Sequence, residues 1–294
     1  MSEQEEGVSS VVGLMLVLAI VATVLAIYSA TYLPGLKQQS EIVHTHEVQD
    51  AFSKFGGDIE HAVSQKSRCH LSESFSLGGG DVLLSPGKSS GTLSVRPEER
   101  DLVEVSVDGK RYNATLVSIT YAPSFSTWEL QGYTWQYGYV NVTKGERETP
   151  LHEYTMAEVR QEMKAYPFAQ SFVEIRDTTP PGSSICTDLQ VTLVKMRPGE
   201  RDSVTGNGMA HLTLNASVSS VPTTGVRSLT FDVPTDIALP EFAEAVDTKI
   251  GEECAALEER YPTNIVYDPT GHMLEFNPEV NVTVQTVGIE VNAR

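Results

Sequence analysis

Polar and apolar positions divide the chain into two unlike parts. No side chain in residues 7–36 is charged, and residues 11–27 (VVGLMLVLAIVATVLAI) are nearly all apolar. A helix rises 1.5 Å per residue and a bilayer core of about 30 Å takes about 20 residues, so the run is long enough to span. A buried core helix is the rival reading, but such a helix rarely lacks a polar stripe for this long. A secretory signal peptide would carry a basic n-region and a shorter apolar run, whereas the leader here is MSEQEEG. The pattern predicts a retained membrane-spanning helix.

Pro34 and Gly35 should kink it. Residues 37–63 then read as an amphipathic continuation with Ile42, Phe52, Phe55, Ile59 and Val63 on its apolar stripe. Gly56 and Gly57 weaken it by about 1 kcal/mol each relative to alanine.

Beyond Leu71 the texture changes to alternation. Val103, Val105 and Val107 face one way and Glu104 and Ser106 the other. Asp108–Gly109 makes a hairpin turn, and Tyr112, Ala114 and Leu116 point inward on the return. Similar strands are predicted over 132–143, 189–194, 209–218, 229–233, 273–276 and 280–291. In the last, the apolar phase slips near Thr286, and a β-bulge is one explanation. A further helix starts at Pro240, repeats Phe242, Val246, Ile250, Cys254, Leu257 and Tyr261, and stops at Pro262. A shorter one is predicted over 156–166. The fold class is α+β: a long N-terminal transmembrane helix continuing into an amphipathic helix, then a mainly antiparallel, β-rich, sandwich-like extracellular head with one packed helix. The segments are a hydrophilic leader (1–7), the helix (8–63) and the head (71–294). The stretch 178–184 (TTPPGSS) leaves open whether the head is one domain or two.

Composition narrows the function. With 39 acidic against 21 basic side chains and a net charge of −18, the chain is a poor partner for nucleic acid. Cys69, Cys186 and Cys254 lie far apart, which excludes a disulfide scaffold, a Cys-rich zinc site and a haem-attachment motif. Cys254 falls on a buried stripe and reads as an inert core thiol, while Cys69 and Cys186 are free to pair in an oxidising setting. Lys88–Ser89 looks like the end of a phosphate loop, but Val82 stands where the motif needs glycine. His152–Glu153 begins like a zinc-protease motif that Met156 interrupts. His44 and His46, two apart, fall on different faces of a solvated helix. No catalytic residue, cofactor or metal site is predicted.

Four glycosylation sequons, at Asn113, Asn141, Asn215 and Asn281, take half of the eight asparagines. Each falls on the polar phase of its strand, the face able to carry a glycan. Lys37, just past the span, is a weak vote for a cytoplasmic head by the positive-inside rule, and the sequons outweigh it.

A short hydrophilic leader ending in Gly7, an uninterrupted apolar helix, an amphipathic continuation and a β-rich head together resemble archaeal type IV pilins and pilin-like surface proteins. Val8, Ser9, Val11, Val12 and Gly13 match the V-S-x-V-[IV]-G start of such chains, and a looser likeness runs through 37–63, 76–95 and 128–140. The resemblance implies cleavage by a prepilin peptidase next to Gly7, leaving Val8 as the new N-terminus. It also implies that the helix moves from membrane lipid into a bundle with other pilin-like subunits, heads outside. Val11, Gly13, Leu14, Leu18, Val21 and Leu25 would lie on that membrane and polymerisation helix, with Gly13 allowing close approach. Two departures stand: the leader has no basic residue, and Val12 occupies the position where bacterial members carry glutamate. The expectation is a structural and adhesive surface protein, a minor or tip subunit given its large head, with a surface ligand or S-layer as the head's partner. The alternatives are an uncleaved single-pass membrane protein with a binding head and, less favoured, a tethered hydrolase.

Overall fold

The computed structural model describes residues 2–79, 89–125, 130–145, 147–151 and 167–294, with side chains from Val11 onward. The helix runs without interruption as α1 (Ser2–Ile27), one π turn (Tyr28–Tyr32) and α2 (Leu33–Gln65). The π turn is the chain's answer to Pro34, which lacks an N–H and whose ring crowds the carbonyl four residues back. The Leu33 N–H reaches Tyr28 O, five residues back, so the turn widens and the helix continues where a kink was expected. At the far end Lys66 turns left-handed (φ 48°) and its N–H closes on Ala62 O at 3.2 Å.

α2 buries Val48, Ala51, Phe52, Phe55, Ile59, Ala62 and Val63, whereas Ile42 is only half-buried. Gly56 belongs to the buried face. A Cβ there would lie 3.2 Å from Cδ1 and Nε1 of Trp135, so glycine lets the indole sit directly on the helix.

Among the described residues the head has two sheets. In the first, β12 (Met209–Asp232) and β14 (Met273–Ala293) form a long antiparallel spine. β1 (Cys69–Ser76) and β3 (Val103–Val107) share the other side of β12, and β4 (Lys110–Ala114) follows β3. β10 (Asp188–Pro198) runs parallel to β14, β9 (Val173–Asp177) flanks β10, and β13 (Ile265–Asp268) flanks the start of β14. The second sheet has the order β11 (Ser203–Gly206), β2 (Ser90–Pro97), β5 (Val117–Ser124), β6 (Gln131–Gln136), β7 (Tyr139–Lys144), β8 (Arg147–Pro150), antiparallel throughout. α2 lies against β1, β6 and β7, β2 meets β10 and β14, and one buried apolar cluster includes residues of α2 and of both sheets.

Several predicted strands are longer or shorter than expected. Residues 132–143 are two strands, because Tyr137 and Gly138 turn left-handed (φ 50° and 85°) just as Asp108 and Gly109 do (46° and 84°). Residues 209–218 and 229–232 are parts of one strand, which ends one residue before Val233, and 273–276 and 280–291 are likewise parts of one strand. No bulge occurs at Thr286: pairing with β10 and β12 runs through it unbroken, and the irregularities lie on β12 between Thr223 and Ser228. Val282 and Val284 therefore face opposite to Val287, Ile289 and Val291, and all five are buried. The phase slip marks a strand covered first on one face and then on the other. Beside it, Val191, Thr192, Leu193 and Val194 are buried in succession.

The stretch 178–184 lies in the loop between β9 and β10, which pair with each other. Residues 156–166 lie outside the described residues; the short helix α3 (Pro167–Gln170) follows them. α4 (Pro240–Arg260) buries Phe242, Val246, Ile250, Cys254 and Leu257, as its spacing predicts. It also supplies acceptors to two strand edges: Ile175 N–H donates to Glu253 Oε2 (2.7 Å) and Tyr267 N–H to Glu258 Oε1 (3.0 Å).

Candidate functional site

The most distinctive surface is the apolar helix. Val11, Leu14, Leu18, Val21 and Leu25 are among a dozen large apolar side chains between Val11 and Ile27 whose exposure is 48–65%. A Cβ on Gly13 would meet nothing within 4 Å. The polar Thr23 hydroxyl donates to Ala19 O at 2.8 Å, so even that group is satisfied within the helix. Tyr28 and Tyr32 stack at 6.3 Å where this stretch ends. Tyr32 is 67% exposed and Leu33 is 8% exposed, and after residues 34–40, which are exposed or half-buried, the buried face of α2 begins at Glu41. The segment is long and apolar enough to cross a membrane. Gly7 and Val8 lie within α1, whose backbone shows no break between them.

The four sequons separate. Asn215 and Asn281 are exposed; the first contacts His70, and the second donates from Nδ2 to Asp188 Oδ1 at 3.0 Å. Asn141 is buried, with Nδ2 donating to Glu148 Oε1 at 3.0 Å, so its side chain is not open to a glycan in this conformation. Its register with Thr134 puts it, as expected, on the face opposite Tyr133, Trp135 and Val142, and it is covered there all the same. Asn113 is half-buried, donates from Nδ2 to Asp101 Oδ2 at 2.9 Å and accepts from Lys195 Nζ at 2.8 Å.

His44 is buried rather than solvated, while His46 is exposed on another face. Tyr121 donates its hydroxyl proton to Leu77 O (2.9 Å), so His44 Nε2–H is the donor to Tyr121 Oη (2.9 Å). Nδ1 has no hydrogen-bond partner among the described residues. Burial holds the imidazole pKa below 6.5 and keeps it neutral. Sequence reasoning also missed a Tyr267–His272–Asp247 chain: Tyr267 Oη lies 2.5 Å from Nδ1, and Nε2 lies 2.9 Å from Asp247 Oδ1. Its members come from β13, the β13–β14 turn and α4, and no spacing in the sequence announces it. Burial pushes the Tyr267 hydroxyl up to about 12, which makes it a proton donor rather than a nucleophile. The chain fastens the β13–β14 hairpin to α4, where Gly251 leaves room for the two rings.

All three cysteines are free thiols, Cys69 half-buried and the others buried, so Cys69 and Cys186 do not pair. Burial raises each thiol, Cys254 to about 12, so none is an activated nucleophile. A cleft of 630 Å³ is lined by Arg96, Glu98, Arg100, Gln136, Tyr137 and Asp236 among others. Its polar groups largely satisfy one another: Glu98 accepts from Gln136 and Tyr137, and Arg100 pairs with Asp236. Among the described residues no three His, Cys, Asp or Glu side chains converge as metal ligands would. Lys88, His152, Glu153 and Met156 lie outside the described residues. Comparison with protein-family models, with curated proteins and with solved structures gives no match to this chain.

Proposed function

We propose that the chain is a pilin-like cell-surface protein, held in the membrane by its N-terminal helix and displaying a β-rich head outside the cell. The observation that carries this reading is the change of surroundings along the helix between Ile27 and Glu41. On one side the helix is apolar and exposed all round; on the other it is an amphipathic element of the head's core. Exposed apolar surface of this extent is stable only in lipid or against like helices. The stacked tyrosines suit the water–lipid interface, where an apolar ring with a polar tip is favoured. Exposed sequons at Asn215 and Asn281 support an exterior head. As a minor or tip subunit, the protein would exchange lipid for neighbouring pilin-like helices after a prepilin peptidase cuts beside Gly7.

The test is the N-terminal peptide of the protein from its native cells, combined with alkaline carbonate extraction of membranes. A chain that begins at Val8 supports the pilin-like subunit. A chain that begins at Met1 or Ser2 and resists extraction overturns filament assembly and leaves a single-pass anchored binding module. The acidic leader MSEQEEG, with no basic residue for a peptidase site, favours that second reading. Release by carbonate overturns both.

A further inference from the structure

The first sheet curls until its β4 end meets β10. Thr115 bridges in parallel to Lys195, its N–H donates to Val194 O (3.3 Å), Met196 N–H returns to Thr115 O (3.0 Å), and Thr115 Oγ1 donates to Met196 O (2.5 Å). At this seam three side chains align. Lys195 Nζ is 2.8 Å from the carbonyl oxygen of Asn113, and Asp101 Oδ2 is 2.9 Å from the amide nitrogen of the same side chain. Lys66 and Lys249 face carboxylates, as lysines in so acidic a chain are expected to do. Lys195, half-buried, meets a carboxamide instead.

We propose that Lys195 and Asn113 form an intramolecular isopeptide bond across this seam, with Asp101 carrying the proton. A lysine nitrogen hydrogen-bonded to the amide oxygen, one bond from the carbon it would attack, and a carboxylate hydrogen-bonded to the amide nitrogen are the groups that amide exchange needs. The Lys195 ammonium gives up a proton to solvent, from which the exposed Asp101 carboxylate takes one up, and the freed Nζ attacks Cγ of Asn113. The Cγ–Nδ2 bond breaks as Asp101 delivers a proton to Nδ2, and the nitrogen leaves as ammonia, which takes up the remaining proton. One ammonium and one primary amide become one secondary amide and one ammonium ion, so charge and atoms balance without an oxidant. The product ties β4 covalently to β10 where a single backbone bridge now closes the sheet. It also consumes the first sequon asparagine. This assignment concerns the head alone and does not depend on how the helix is housed.

The test is the mass of the full chain, made in a non-glycosylating bacterial host and purified in detergent, followed by tryptic mapping. The expected result is a mass deficit of one ammonia and a branched peptide joining residues 112–144 to residues 177–201, with no cleavage after Lys195. Lys195→Arg and Asn113→Ala should each restore the full sequence mass, and Asp101→Ala should slow linkage about a hundredfold. Wild-type protein at full mass that is cut after Lys195 overturns the proposal. An ammonia deficit that maps to Asn207, which precedes Gly208, overturns it too. Linkage at the wild-type rate in the Asp101→Ala chain overturns the role given to Asp101.

Discussion

The two halves of the N-terminal helix share a backbone and differ in what surrounds them. Between Val11 and Ile27 large apolar side chains point in every direction and all are exposed. From Val48 onward the apolar side chains of α2 gather on one buried face, while Asp50, Lys54 and His61 remain exposed on the others. The comparison teaches that helicity alone does not assign a helix its place. An apolar stripe specifies a protein partner, and apolarity on all sides specifies an apolar medium. The π turn keeps the helix continuous between the two regimes, and the buried face of α2 begins at Glu41.

The sharpest way to break this comparison is to damage each half separately. Phe52 is buried against Phe75 and Tyr133 at ring-centroid distances of 6.0 Å. Phe52→Ala is expected to cost the head about 3–5 kcal/mol, read as a lowered thermal midpoint in detergent, and to leave membrane association unchanged. Leu18→Asp should do the reverse. An aspartate at the centre of a span costs roughly 3 kcal/mol of insertion, so the protein should leave the membrane fraction while the head melts as before. A Leu18→Asp chain that still fractionates with membranes would show that this segment is not the anchor.

What was legible in the sequence follows the same division. The apolar run, the α4 stripe and the Asp108–Gly109 hairpin were readable because each rests on local periodicity or on a turn residue with a specific backbone preference. The turn at Tyr137–Gly138 was not, since tyrosine rarely adopts a left-handed conformation. It is held there by tertiary contacts, the ring against Phe242 (5.3 Å) and the hydroxyl donating to Glu98. The phase slip at Thr286 was visible but admitted the wrong cause, because sequence shows which positions are apolar and not which layer covers them. The buried His44 and Asn141 were read as solvated for the same reason. The Asn113 cluster was legible only as a sequon: Asp101 sits across the readable β3–β4 hairpin, but Lys195 arrives through a distant bridge that no local pattern encodes.

His44 offers a smaller effect with a definite sign. Buried on α2 beside Tyr121, it stays neutral in the folded head, whereas the unfolded chain takes up a proton near pH 6.5. The unfolded state then binds more protons than the folded one, so stability rises with pH in this window. The contribution is complete above pH 6.5 and is lost as pH falls below it, by at most about 1.4 kcal/mol per pH unit. Thermal midpoints between pH 7.5 and 5.5 should fall on acidification, and His44→Gln should flatten that fall. An unchanged slope in the variant would place the proton uptake elsewhere.

The finest cut separates two adjacent glycines. Gly56 and Gly57 have the same helix propensity, and each should gain about 1 kcal/mol as alanine if propensity alone decided. Their surroundings differ. A Cβ on Gly57 meets nothing within 4 Å, while one on Gly56 meets Trp135 at 3.2 Å on two atoms, and the indole is fully buried. Gly57→Ala should therefore raise the thermal midpoint by the propensity gain, about 0.5–1 kcal/mol. In Gly56→Ala the displaced indole should outweigh that gain and leave a net loss of roughly 1 kcal/mol. Opposite signs at neighbouring positions would locate the edge of the head's grip on α2 to a single residue. Two gains would mean that Trp135 yields easily and that α2 is held by its phenylalanines instead.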